Sequence, residues 1–364
     1  MDIRSIAFYL PQFHPIPEND AWWGKGFTEW HNVAKARPLF RGHYQPHLPA
    51  DLGFYDLRLP ELQQAQADLA GEYGIFGFCY YHYWFSGKRL LGGPFDSLLR
   101  SGKPDFPFCL CWANENWTRR WDGQENDVLM RQTYSEKDDQ EHIQWLISVF
   151  KDKRYIRVHG KPLFLVYRAR HMPDPSKTAK FWRKEVRKYG LEDIFLCQVE
   201  SFSDDYGDPS LIGFDAAVEF QPDWKNLGEL LRPRGIQRFL EILGLSRAYR
   251  DNRVYDYHKM VQKILMKKPP ADQRFPCVCP SWDNSARRRT QAVILKDSSP
   301  AIYEWWLRTV KERYQPKNSE ENFIFINAWN EWGEGNHLEP CRKWGRAYLE
   351  ATRRALQAPS SGIQ

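Results

Sequence analysis

Eight short apolar or β-branched runs recur along the chain, each followed by sequence of helical character, and this alternation restricts the fold more than any other feature. The runs are Ser5 to Leu10, Gly77 to Tyr83, Phe106 to Trp112, Leu163 to Tyr167, Ile194 to Val199, Ala216 to Phe220, Phe275 to Cys279 and Phe323 to Ala328. Apolar character without alternation suits strands buried on both faces, as in a parallel sheet. The clearest helical segments are Pro60 to Tyr73, Glu136 to Phe150, Ser176 to Tyr189, Ser299 to Tyr314 and Arg342 to Leu356. Eight strand-first units in 364 residues predict an α/β fold of the (β/α)8 TIM-barrel type, one domain over residues 1–357, with 358–364 as a flexible tail. A doubly wound fold would place a glycine-rich phosphate turn after its first strand, where Tyr9-Leu10-Pro11-Gln12-Phe13-His14 stands instead.

Charge is concentrated in one place. The chain carries 52 basic and 46 acidic residues, a net +6 that is too modest to suggest a nucleic-acid partner. Between Trp224 and Lys268 there are 11 Lys or Arg against 4 Asp or Glu, so that this segment alone holds +7. It reads as a basic helical insertion after the sixth strand, suited to an anionic glycan or to peripheral contact with lipid headgroups. No apolar run approaches the roughly 18 residues of a membrane span. The apolar run Ile6 to Leu10 is also shorter than the ~7 to 15 residues of a secretory signal core. Seven cysteines, two pairs of them spaced Cys-x-Cys inside apolar runs, read as buried free thiols. Both observations predict a cytoplasmic protein.

In a barrel enzyme the chemistry sits where strands end. Those exits hold Gln12, His14 and the Glu29-Trp30-His31 loop after the first run, and Tyr81 with His82 in the second. The third exit gives Trp112, Asn114, Glu115 and Trp117, the fifth Glu200, the seventh Trp282 and Asp283, and the eighth Asn330, Glu331, Trp332 and Glu334. Aromatic residues reach 15% of the chain, and many of the 16 tryptophans lie beside carboxylates and amides at these exits. A pyranose offers C–H faces that stack on tryptophan and hydroxyls that carboxylates and amides bind. Cleaving a glycosidic bond takes two carboxyl groups. Glu331 is one, with Glu115 or Glu334 as the second, and spacing alone does not choose between them. No His-Glu-x-x-His helix or Gly-x-Ser-x-Gly elbow is present, so neither a metal nor a serine nucleophile is expected, and no motif asks for a cofactor. His14, His31 and His82 are expected to bind hydroxyls or orient carboxylates.

The strings FYLPQFHPIPENDAWWGKGFTEW, GFCYYHYWF, FCLCWANENWTRRW and NAWNEWGEGNHLEP resemble the WbsX-type proteins of bacterial polysaccharide clusters, which are related to glycoside hydrolase family 99. The resemblance spans essentially the whole chain; to family 99 itself it narrows to the strand-eight motif Asn-Glu-Trp-x-Glu-Gly. It implies a (β/α)8 barrel and a retaining, endo-acting enzyme on a mannose- or rhamnose-like α-linked sugar. One glutamate would deprotonate the 2-hydroxyl, giving a 1,2-anhydro sugar, while the other protonates the leaving group. Carried over by motif, Glu331 is the base and Glu334 the acid. Gly333 departs from the pattern, because family 99 typically has histidine there. Beside the two glutamates, the exit residues Trp112, Trp117, Trp282 and Trp332 are expected to be sugar platforms. Asn114, Glu115, Asn330 and Glu29 become hydroxyl ligands, with Trp30, Tyr81, His82, Asp283, Glu200 and His14 around them. Two rivals stand beside hydrolysis. One is glycosyl transfer, for which no Asp-x-Asp exists and Arg119-Arg120 is a poor substitute as a diphosphate site; the other is a glycan-binding barrel without catalysis.

Overall fold

The computed structural model describes residues 2–119, 124–268, 272–288 and 290–358. All eight runs form strands: β1 (Arg4–Tyr9), β2 (Ile75–Phe85), β3 (Phe108–Trp112), β4 (Lys161–Val166), β5 (Phe195–Val199), β6 (Ala216–Glu219), β7 (Arg274–Val278) and β8 (Phe323–Ile326). Each pairs in parallel with the next, and β8 pairs with β1, so the sheet closes into a barrel. The strands are almost wholly buried because the barrel interior is filled by side chains and the outer face is covered by helices.

Those helices are α1 (Pro60–Glu72), α2 (Gly93–Ser101), α3 (Glu136–Phe150), α4 (Pro175–Lys188), α6 (Tyr257–Leu265), α7 (Pro300–Arg313) and α8 (Ala347–Gln357), while α5 (Gly235–Ile242) belongs to the insertion after β6. Side-chain oxygens of Ser135, Asp174, Asp256 and Ser299 accept backbone N–H bonds at the starts of α3, α4, α6 and α7, which fixes where each helix begins. Helix α8 starts five residues later than the expected Arg342, because Cys341 bridges to Gly345, whose φ of +51° lies outside helical space. After β5 only the short turn Pro209–Ile212 replaces a full helix.

The basic insertion is smaller than 224–268. Helix α6 buries Tyr257, Met260 and Val261 and packs against α7, so it is the barrel's own sixth helix. The inserted part contains α5 and ends in a strand, Arg253–Asp256, that pairs in parallel with Val293–Lys296 from the loop after β7. All seven cysteines are free and buried. Among the described residues no helix is long and apolar enough to cross a membrane. The expected tail, beyond residue 358, and Arg120 lie outside the described residues.

Candidate active site

A cleft of about 660 Å³ opens at the C-terminal ends of the strands, within the size range of small-molecule sites. Its walls include Tyr81, Tyr83, Trp117, Tyr167, Trp224 and Trp282, with Glu115, Arg287, Glu331 and Glu334 among the charged groups.

The hairpin after β8 delivers the two glutamates. Asn330–Glu331 pairs antiparallel with Asn336–His337, and a tight turn through Trp332–Glu334 joins them, with Gly335 in the left-handed region at φ +55°. Asn330 pins this hairpin to the end of β1: its Oδ1 accepts from the Leu10 N–H at 2.7 Å and its Nδ2 donates to the Leu10 carbonyl at 3.0 Å. Trp332 is buried, stacked on His337 at 3.7 Å, and its Nε1 donates to Glu339 at 2.6 Å. Glu339 also accepts from Tyr55 and Gln66, and burial nonetheless pushes its carboxyl up to about 7. The hairpin is therefore fixed from beneath, which leaves Glu331 and Glu334 as its members facing the cleft.

One guanidinium holds three carboxylates. Arg287 donates from Nε to Glu29 Oε1 at 2.8 Å, and its Nη2 lies 2.9 Å from Glu331 Oε2 and its Nη1 2.7 Å from Glu334 Oε1. Burial pushes the Glu331 carboxyl up to about 8; Arg287 opposes the shift, and the neighbouring Glu334 and Glu29 carboxylates add to it. Glu334 is also raised, with burial the first cause and Arg287 again opposing. The three carboxylates raise the guanidinium's own pKa despite its burial. Around them Tyr81, Tyr83 and Tyr167 are pushed up by burial, so they stay neutral phenols able to donate to a ligand.

The Arg287 loop is closed on itself. Leu295 N–H donates to the Trp282 carbonyl at 2.8 Å, and Val293 N–H to Asn284 Oδ1 at 2.8 Å. Asp283 N–H donates to the Glu334 carbonyl at 2.6 Å, tying this loop to the glutamate hairpin.

Gly333 explains itself sterically. A Cβ there would lie 1.9 Å from Glu29 Oε1 and 2.7 Å from Arg287 Nε. The space that a side chain at 333 would need is filled by the Glu29–Arg287 ion pair, so a histidine cannot stand here alongside it.

Of the expected site residues, the structure brings Glu331, Glu334, Glu115, Trp117, Tyr81 and Trp282 to the cleft wall. Glu115 comes from β3, three strands round the barrel from β8, and is held by Arg168 at 2.9 Å. Arg168 also binds Asp204 and Asp205.

The other expected ligands are corrected. Trp112 is fully buried, its Nε1 donating to the Trp84 carbonyl and its ring against Trp182 and His142 in the helical layer. His82 points the same way, 3.0 Å from His142 and stacked on Trp145, and burial drives its pKa well down. Asn114 bonds the Arg168 backbone, and Trp30 donates to the Tyr55 carbonyl beneath Trp332. Asn330 and Trp332 support the hairpin, as described, and Glu29 binds Arg287. Asp283 accepts from His43 and Gln45 away from the cleft, and Glu200 is paired with Arg274. His14 is buried with its pKa lowered to about 4 by burial, and His31 stacks on Phe27 at the surface; neither lines the cleft. The common reason is that strand exits carry inward and outward side chains alternately, and half of them face the helices or the supporting shell.

Arg287 is the residue that sequence reading overlooked. The expected residues at the seventh exit end at Asp283, and the Arg287-Arg288 pair a few residues beyond is the available signal. Among the described residues no group of three or more His, Cys, Asp or Glu side chains is arranged to hold a metal ion.

Comparison with known proteins bears on this geometry. The family model described as Glycosyltransferase WbsX matches residues 5–352. The chain belongs to the WbsX family. Two curated relatives, both described as "Uncharacterized protein WxcX", come from Xanthomonas campestris pv. campestris strains B100 and ATCC 33913. Each is 46% identical over 352 residues, covering 96% of this chain and 49% of the relative. This WbsX-family chain thus spans about half the length of the curated relatives it matches. Among solved structures, a glycoside hydrolase-like protein superposes with a TM-score of 0.59 at 15% identity, covering 98% of this chain and 95% of the other. A family 99 endo-α-mannosidase from Bacteroides thetaiotaomicron superposes at 0.56 and 16%, covering 98% and 97%. At such identities the likeness establishes that this WbsX-family member shares their fold.

Proposed function

We propose that this protein is a carbohydrate-active enzyme that cleaves an α-linked bacterial glycan, acting within the chain and with retention, on a mannose- or rhamnose-like sugar. The observation that carries this reading is the placement of Glu331, buried, and Glu334, partly buried, both with raised pKa, on the two terminal nitrogens of Arg287 at the cleft wall. Three carboxylates around Arg287 favour one proton held by the Glu331–Glu334 pair, and the reactive form is the one that carries it on Glu334 with Glu331 ionised.

In the first step Glu331 takes the 2-hydroxyl proton, O2 bonds to C1, and the C1–oxygen bond of the leaving group breaks as Glu334 protonates that oxygen. In the second, Glu334 takes a proton from water, the water oxygen bonds to C1, and the C1–O2 bond opens while O2 recovers its proton from Glu331. Two inversions give retention. O2 must lie trans to the leaving group, which α-mannosides and α-rhamnosides satisfy. Arg287 and Glu29 hold the carboxylates in register, and Trp117 and Trp282 offer aromatic faces to sugar rings.

The family's name favours a second reading in which a sugar hydroxyl replaces water and the same pair transfers the glycosyl unit. Incubation with α-mannan and α-rhamnan oligosaccharides, with and without an acceptor, and mass analysis of products separates the two outcomes. Near wild-type turnover by both Glu331→Gln and Glu334→Gln would refute the paired-carboxylate chemistry in either form. Release of nucleotide from a sugar nucleotide would replace it with another reaction, and tight glycan binding without product would indicate a binding barrel.

A further inference from the structure

The insertion after β6 turns an apolar surface to solvent. Leu230, Ile236, Phe239, Ile242, Leu243 and Leu245 are each more than half exposed, and they are six of the ten large hydrophobic residues so exposed among those described. Helix α5 is reversed relative to an ordinary surface helix: it buries Gln237, which donates to Ser246 Oγ at 2.7 Å, and points Ile236, Phe239 and Ile242 outward. Arg232, Arg234, Arg238, Arg247 and Arg250 are interspersed with and flank these residues along the segment, all exposed, and none of the five makes an ion pair among the described residues. Of the three acids in or beside the segment, Glu241 is engaged by the Tyr249 N–H at 2.8 Å, Asp251 is partly buried and Glu229 is exposed.

We propose that residues 230–250 dock this protein on an anionic lipid bilayer. Apolar side chains interspersed with unpaired arginines match the two layers of such a surface, with the aliphatic and Phe239 groups entering the acyl boundary and the guanidinium groups meeting the phosphates. A second copy of the chain is the poorer occupant, because a twofold contact would set these arginines against one another. Trp224 and Leu227 just before the patch and Arg253 and Tyr255 just after it line the cleft, so docking sets the rim of the cleft beside the headgroup plane.

Vesicle flotation tests this with phosphatidylcholine alone and with added phosphatidylglycerol. The native chain should partition at least about tenfold more strongly onto the anionic vesicles and be largely released by high salt. The double variant Phe239→Glu/Ile242→Glu should lose roughly tenfold or more of that partitioning. Arg238→Gln/Arg247→Gln should also lose about tenfold, and both variants should melt as the native protein does because the altered side chains are exposed. Equal recovery on both vesicle types, or none on either, overturns the proposal. So does a dimer, seen by light scattering, that Phe239→Glu disperses, since the patch would then be a self-contact.

Discussion

A methyl group on Gly333 would stand 1.9 Å from Glu29 Oε1, so the missing side chain at 333 and the carboxylate at 29 form a single structural feature. Between the two glutamates of the strand-eight motif, the chain leaves room for an ion pair that steadies both. The replacement Gly333→Ala should therefore displace Glu29 and loosen Arg287. We expect a loss of about 2 kcal/mol or more in stability, typical of overpacking, together with a fall of at least about tenfold in turnover. Thermal melting and initial rates check this; an unchanged melt with native activity would show that Glu29 has room to move.

Arg287 neutralises buried carboxylates, and its removal should be felt most where they are ionised. Arg287→Met should cost about 3 to 5 kcal/mol at neutral pH, because breaking a buried pair strands the remaining charges. Without the guanidinium the carboxyl pKa values rise further, so the penalty should shrink as pH falls and the acids take up protons. Urea denaturation at neutral and mildly acidic pH measures the difference; an equal cost at both would contradict the electrostatic role.

The raised carboxyls set a pH dependence in the native protein. Glu331 has a folded value of about 8 against an ordinary 4.5, so the folded state binds more protons across that window. Its contribution to stability is full below 4.5 and is eroded as pH climbs through about 8. Glu331→Gln should flatten this decline in a series of denaturation curves, and an identical slope in the variant would rule Glu331 out as its source. In activity, the base limb of kcat/KM, set by deprotonation of the acid Glu334, should lie above the usual carboxylate range.

Asp283 carries the opposite sign. Against burial, which raises it, the bonds from His43 and Ser285 hold the carboxyl below its ordinary value of 3.8, so its contribution is present above that value and is lost as pH falls through the depressed one. Asp283→Asn should cost about 1 to 3 kcal/mol at neutral pH, and little in strong acid. Because Asp283 begins the turn leading to Arg287, turnover should fall with it. Stability retained at neutral pH would show that the loop is held by its backbone bonds alone.

The eight runs and the five clearest helices were legible in the sequence because burial on both faces leaves an unbroken apolar signature and caps leave a polar one. Glu331 and Glu334 stand in one contiguous motif, yet Glu115 was an equal candidate on spacing, and all three reach the cleft wall. Trp112, His82 and Glu200 were not separable from true wall residues, since neighbouring side chains at a strand exit point to opposite sides and one residue of register decides which. Arg287 was hidden for another reason: it approaches Glu29 and Glu331 from 258 and 44 residues away, a proximity created by barrel closure. The sequence by itself determined the barrel and the basic excess near residue 240, and it left the partner of Glu331 open between Glu115 and Glu334. Only the tertiary structure decided that Gly333 yields its space to the Glu29–Arg287 pair, that three carboxylates share one cation, and that α5 faces its apolar side outward. Local patterning records what each segment buries, whereas the electrostatics of a site depend on which distant segments meet there.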